Sequence, residues 1–171
     1  MYPVSLLALP QVFRNEIRKI TDQLQNGEIT LAEWQDRFTN LLARYILAAL
    51  LLGYETTTPQ IEQIAEERLR EQVGFLTGFA DEIRTSESWL TKWNSRAESY
   101  AICLIENYFT GLLLTGGMYR WDYTPEAQHC NDCLFLNGQI HDAAYWIQNH
   151  IPGDWRTECK GGCRCLLTRV E

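Results

Sequence analysis

Thr30-Leu31-Ala32-Glu33-Trp34-Gln35-Asp36-Arg37-Phe38-Thr39-Asn40-Leu41-Leu42-Ala43-Arg44-Tyr45-Ile46 is the stretch that decides the fold class. Thr30 and Glu33 stand at the spacing of a capping box, in which each side chain satisfies the other's end of the first helical turn. Behind them Leu31, Trp34, Phe38, Leu41, Leu42, Tyr45 and Ile46 recur at intervals that keep them on one face of a helix. Beyond Ile46 the helix becomes apolar all round, so it is expected to be covered on most sides. The apolar run from Leu41 to Tyr54 carries Arg44 and falls short of the roughly 20 residues a membrane span needs. It is expected to be a buried core helix, with no membrane among the partners.

Helical patterning extends to both sides. Pro10 suits the first turn of a helix running through Val12, Phe13, Ile17 and Ile20 to Leu24, with Gly27 placed to stop it. Thr58-Pro59 opens a third helix whose inner face is Ile61, Ile64, Ala65, Leu69, Val73 and Leu76; the charges interleaved with that stripe form a solvated face. A fourth begins at Glu87, Trp89, Leu90 and Trp93 and continues through Tyr100, Cys103, Leu104, Tyr108 and Leu112 until Gly116-Gly117 ends it.

At Met118 the pattern changes. Met118 to Tyr123 reads as a short strand, and Leu134 to His141 as a hairpin whose Asn137-Gly138 supplies a type I′ turn. Asp142 can cap a short helix from Ala143 to Asn149, closed by Pro152-Gly153, and Cys163 to Val170 reads as a last strand. The expected architecture is mainly α: a long-helix region over residues 1–117, then a small α+β cysteine-rich module, zinc-knuckle-like, over residues 118–171.

Bulk properties narrow the function classes. The formal net charge is −7, and no Lys/Arg run occurs, which argues against a general nucleic-acid binder because duplex affinity comes from cations neutralising phosphates. Met1-Tyr2-Pro3 lacks the basic start of a signal peptide, and Pro10 and Arg14 interrupt any apolar core of one, so a cytoplasmic origin is expected. In that compartment thiols stay reduced, and clustered cysteines are read first as metal ligands.

Five of the six cysteines lie in two short clusters, Cys130-Asn131-Asp132-Cys133 and Cys159-Lys160-Gly161-Gly162-Cys163-Arg164-Cys165. Each cluster offers thiolates from one tight turn, as a tetrahedral metal centre requires. Cys163 and Cys165, two apart, share a face if the segment is a strand, and Gly161-Gly162 gives the loop freedom to bring Cys159 to the same centre. The candidate ligands are Cys130, Cys133, Cys159, Cys163 and Cys165, five thiols for four positions of a structural Zn2+. One or two disulfides are the alternative, and redox chemistry a third. A thioredoxin-like dithiol calls for a helix directly after Cys-x-x-Cys, where a hairpin is expected here.

Other candidates read more plainly. His129 beside Cys130 is expected to be exposed or hydrogen-bonded, since adjacent residues seldom reach one metal; His141 and His150 are expected at the surface. Cys103 falls on the apolar face of the fourth helix and reads as a small buried hydrophobe. Glu106 reads as a residue at the stripe's edge or as a buried partner for an arginine such as Arg96. Trp121, Trp146 and Trp155 are expected to pack around the metal centre. No histidine–carboxylate pair at helical ligand spacing, Gly-rich phosphate loop or nucleophile elbow occurs, nor the His-x-Glu and Pro-Cys-x-x-Cys of a nucleobase deaminase, so the chain is not expected to be an enzyme.

With these residues in place, the sequence resembles the phage head-morphogenesis proteins, the minor capsid family that includes the phage Mu F-like proteins. Those end in a module with a tryptophan, Cys-x-x-Cys, a Leu-x-Gly hairpin, a proline and a terminal Cys-Arg-Cys followed by an aliphatic strand. The counterparts are Trp121, Cys130 with Cys133, Leu136-Asn137-Gly138, Pro152, and Cys163-Arg164-Cys165 with Leu166 and Leu167. Arg96-Ala97 and Glu106 resemble the family's helical region more loosely. Many members carry a histidine shortly before Cys-Arg-Cys; Cys159 stands near that place.

The resemblance implies a structural, non-enzymatic virion protein of a tailed phage, made in the bacterial cytoplasm. It would sit in the phage head or head–tail region in multiple copies, bound to portal and/or capsid proteins. The competing expectation is a cellular zinc-binding adaptor that recognises a protein partner.

Overall fold

The computed structural model describes residues 4–125, 127–154, 156–159 and 164–170, with side chains from residue 8 onward. It is mainly helical: α1 (Val4–Gln25), α2 (Leu31–Tyr54), α3 (Pro59–Thr85) and α4 (Trp89–Leu114) lead into β1 (Met118–Asp122), α5 (Asn131–Leu136), β2 (Ile140–Asp142), α6 (Ala143–Asn149) and β3 (Leu166–Val170).

Helix α2 starts as its sequence dictates. The Thr30 hydroxyl accepts the Glu33 N–H at 3.2 Å, and the Glu33 carboxylate accepts the Thr30 N–H at 2.8 Å. These bonds hold the Glu33 carboxyl below its usual range. Thr58 caps α3 with a single bond, its hydroxyl accepting the Ile61 N–H at 3.3 Å, with Pro59 at the first position, and the helix runs to Thr85, beyond the Leu76 where its sequence stripe stops. Gly27 adopts φ +71° where α1 ends.

Pro10 corrects its expectation: it lies inside α1, which is already helical at Val4. An interior proline forfeits a backbone hydrogen bond. Here Pro10 is buried and the neighbouring Leu9 packs on the core, so tertiary burial offsets the loss.

Helix α2 is the central element, packed against α1, α3 and α4, whereas α3 and α4 touch one another sparsely. Its face meets an aromatic nest in which Trp34 stands edge-on to Phe38 at 5.2 Å, Phe79 at 6.1 Å and Trp93 at 6.3 Å, while Phe79 and Trp93 stack at 6.0 Å. Two polar side chains in this core are satisfied in series: Trp34 Nε1 donates to Thr21 Oγ1 at 3.0 Å, and Thr21 donates to the Ile17 carbonyl at 2.8 Å. The all-apolar end of α2 is mostly covered by the protein's own fold, with Ile46, Ala49, Leu50 and Gly53 buried. Among the described residues, no helix is long and apolar enough to cross a membrane.

The sheet has the order β2-β1-β3, antiparallel throughout, with Tyr119 opposite His141 on one side and Arg169 on the other. A second core gathers beneath it. Phe109 and Leu113 from the end of α4 join Tyr119, Trp121, Leu136, Trp146, Ile151 and Leu167. Helix α4 therefore contributes to both cores.

Residues 134–141 do not form the expected hairpin. Cys130 begins a helix, α5, and the chain then turns through Asn137 (φ −56°, ψ 125°) and Gly138 (φ +82°), with the Gln139 N–H donating to the Leu136 carbonyl at 2.9 Å. That is a type II turn, which needs positive φ only at its second central residue. The Asn137 side chain instead accepts the Tyr123 N–H at 3.0 Å, tying the turn to the end of β1. The last strand begins at Leu166, so Cys165 precedes it; Cys163 lies outside the described residues.

Candidate metal centre

Cys130 and Cys133 come together because the chain turns into α5 between them: Cys130 is the N-cap and Cys133 sits in the first helical turn. Their sulfurs are 3.5 Å apart, and Cys133 Sγ is 3.7 Å from Cys159 Sγ. An S–S bond is about 2.05 Å, so neither pair is bonded. Four thiolates about 2.3 Å from a central metal would stand about 3.8 Å from one another. The observed spacings match that tetrahedral edge. Three ligand atoms, from Cys130, Cys133 and Cys159, lie mutually within 4.8 Å.

The two loops that carry these thiols are tied by reciprocal backbone bonds. Asp132 accepts the Glu158 N–H at 2.8 Å, and Glu158 accepts the Asn131 N–H at 3.1 Å. Thr157 Oγ1 lies 3.1 Å from Cys159 Sγ. Burial opposes ionisation of Cys130, yet hydrogen bonds from Cys133 and Cys159 outweigh it and hold the thiol pKa below its usual value. The shift is toward thiolate at Cys130, the form in which a cysteine binds metal.

Cys133 also belongs to a second group, with Cys165 and His129, again mutually within 4.8 Å. His129 is hydrogen-bonded through Nε2 to the Thr124 carbonyl at 2.7 Å. A carbonyl only accepts, so Nε2 carries the proton and Nδ1 of the neutral ring keeps its lone pair. Nδ1 faces Cys165 Sγ at 3.7 Å. Thr124 meanwhile donates to the Arg164 carbonyl at 2.5 Å, joining this loop to the approach of β3. No spacing in the sequence indicates the His129–Cys165 pairing, because the loop after β1 and the approach to β3 are brought together by the β1–β3 ladder.

The clustered cysteines and His129 can therefore hold a metal ion. Of the five expected ligands, Cys130, Cys133 and Cys159 converge, Cys165 joins Cys133 from the other side, and Cys163 lies outside the described residues, as do Gly161, Gly162 and Trp155. Cys133 and Cys165 are fully buried members of the second core, beside Trp121 and Trp146, whose rings are 5.6 Å apart. A helix that starts at Asn131 and contains Cys133 replaces the expected hairpin, which removes that particular argument against a dithiol site.

Away from this centre, Cys103 is buried on α4 as expected, and its thiol donates to the Tyr100 carbonyl at 2.9 Å; burial pushes its pKa far up. Glu106 pairs with Arg68 of α3 at 3.0 Å, while Arg96 pairs with Glu82 at 3.3 Å. His141 is half-buried and stacks on Tyr145 at 3.7 Å, and His150 is half-buried at the end of α6.

No family model, curated protein or solved structure matches the chain.

Proposed function

We propose that the thiol cluster holds a structural zinc and that the protein is a minor head or head-morphogenesis component of a tailed phage, docking on portal or capsid proteins in multiple copies. One observation carries the reading: Cys130, Cys133 and Cys159 converge with tetrahedral-edge spacings inside a module whose residue order resembles the minor capsid family. Zinc, when bound, supplies cross-linking of loops that have little core of their own. The protein's part is to present the thiolates, clamp the two loops through Asp132 and Glu158, and pack Cys133 and Cys165 against Trp121 and Trp146.

Two measurements test the proposal separately. Protein purified without added metal or reductant should carry about one zinc per chain, with the clustered thiols released by chelator. Particles or procapsids from cells producing the phage should contain the protein stoichiometrically. Metal-free protein with few reactive thiols would remove the zinc, and consistent absence from particles and procapsids would remove the virion role.

A further inference from the structure

Cys159 reaches the thiol cluster at the end of a buried strap. Ile151, Pro152, Gly153 and Asp154 are all buried. The strap lies directly on α4: Gly153 adopts φ +91°, and a Cβ added there would stand 3.3 Å from Ile105 Cγ2 and 3.5 Å from the Glu106 nitrogen.

The Asp154 carboxylate folds the strap onto itself. It accepts the Ile151 N–H at 2.8 Å, the Arg156 N–H at 2.9 Å and the Arg156 guanidinium at 2.7 and 2.6 Å. Arg156 in turn donates to the Gln148 carbonyl at 2.7 Å, in the last turn of α6. The carboxylate belongs to a buried residue, so these charge-assisted bonds are shielded from water and hold the backbone that leads into Thr157.

Thr157 is only 2 % exposed, and its hydroxyl oxygen lies 3.5 Å from the Asp154 carbonyl and 3.1 Å from Cys159 Sγ. A hydroxyl has one proton to give. Hydroxyl-to-oxygen bonds centre near about 2.7–2.8 Å, so the carbonyl stands at the outer limit, whereas the larger sulfur is in close contact. A cysteine sulfur that ligates a metal carries no proton and can only accept. Asp132 and Glu158 bond backbone N–H groups of the two loops; Thr157 touches a sulfur itself.

We propose that Thr157 is a positioning residue of the metal centre: held by the Asp154 strap on α4, its hydroxyl donates to the Cys159 sulfur and fixes that thiolate beside Cys133. This rests on the metal reading of the cluster and adds to it a residue outside the ligand set. The hydrogen bond draws electron density from the sulfur, so Thr157 tunes the metal–sulfur bond as well as orienting it.

The test loads the full chain with Zn2+ or Co2+ and compares Thr157→Val and Thr157→Ser with the unmodified protein. Thr157→Val keeps the shape and loses the donor. Its Zn2+ affinity, read by competition against a chromophoric chelator, should fall about tenfold, and Thr157→Ser should restore it. In the Co2+ form the sulfur-to-metal charge-transfer absorption should move to lower energy in Thr157→Val and stay in place in Thr157→Ser, because a sulfur without its hydrogen bond is more electron-rich. Loss of metal uptake in Thr157→Val alone would equally support the proposal. Unchanged affinity and absorption in Thr157→Val would overturn it and leave the metal reading intact. A fall in affinity without the shift, or loss of uptake in both variants, would assign Thr157 to packing and overturn it too. An unmodified chain that takes up neither ion would overturn the metal reading, and the proposal with it.

Discussion

Gly53 of α2 and Gly111 of α4 each lie against the other helix's backbone. A methyl group on Gly53 would run into the Tyr108 carbonyl oxygen and the Leu112 nitrogen, and one on Gly111 into the Leu50 carbonyl oxygen. The two helices therefore approach as closely as backbones permit, between Phe109 and Leu113, the residues by which α4 enters the second core. Gly53→Ala or Gly111→Ala is expected to destabilise the protein by about 1–3 kcal/mol through forced separation of α2 and α4. Gly74→Ala in α3 is the control: no atom lies within 4 Å of the added methyl, and helix propensity should raise stability by about 0.5–1 kcal/mol. Urea denaturation of the three variants checks the contrast.

Removal of metal should act on one part of the molecule. Trp121 and Trp146 are fully buried next to Cys133 and Cys165, whereas the aromatic nest around Trp34 lies in the other core. Chelator, or Cys130→Ser, is expected to erase the near-ultraviolet signal of the module tryptophans while most helical far-ultraviolet signal persists. Simultaneous loss of both would show that the two cores fold as one unit.

The Asp132–Glu158 exchange tests support from outside the ligand set. Asp132→Ala deletes the acceptor of the Glu158 N–H without touching a thiol. Metal affinity is expected to fall about 10–100-fold, as is usual when groups that orient ligands are lost. Competition against a chromophoric chelator would read it directly, and an unchanged affinity would show that the loops hold themselves.

Glu106 gives stability a pH dependence with a definite sign. Burial raises its pKa in the folded protein, and the Arg68 guanidinium lowers it only in part. A group raised above its unfolded value contributes stability that is fully present below the ordinary carboxyl range and is lost as pH rises through the folded pKa. Glu106→Gln, which can still accept from Arg68, should remove that decline. Comparing denaturation midpoints of the two proteins from acid to neutral pH isolates the contribution; parallel curves would rule it out.

Local chemistry was readable where neighbours in sequence decide the outcome. The Thr30–Glu33 box, the Thr58-Pro59 start, the Asp142 cap and Gly27 act within one turn, and each is found where its residues place it. The Asn137-Gly138 dipeptide does not by itself select the turn, because both turn types accept it. What selects type II is the helix arriving through Cys133 and Leu136 and the distant Tyr123 N–H that occupies the asparagine oxygen.

A mainly helical protein followed by a cysteine-rich module is legible in the chain alone, because periodic apolar residues and short thiol spacings are local properties. Folding in three dimensions is what brings Cys159 to Cys133, turns His129 Nδ1 toward Cys165, and gives Glu106 Arg68 rather than Arg96 as its partner. Each of these is a contact between separate segments. Its partner is chosen by how helices pack and strands pair, through burial and ladder hydrogen bonds that no single stretch of sequence contains.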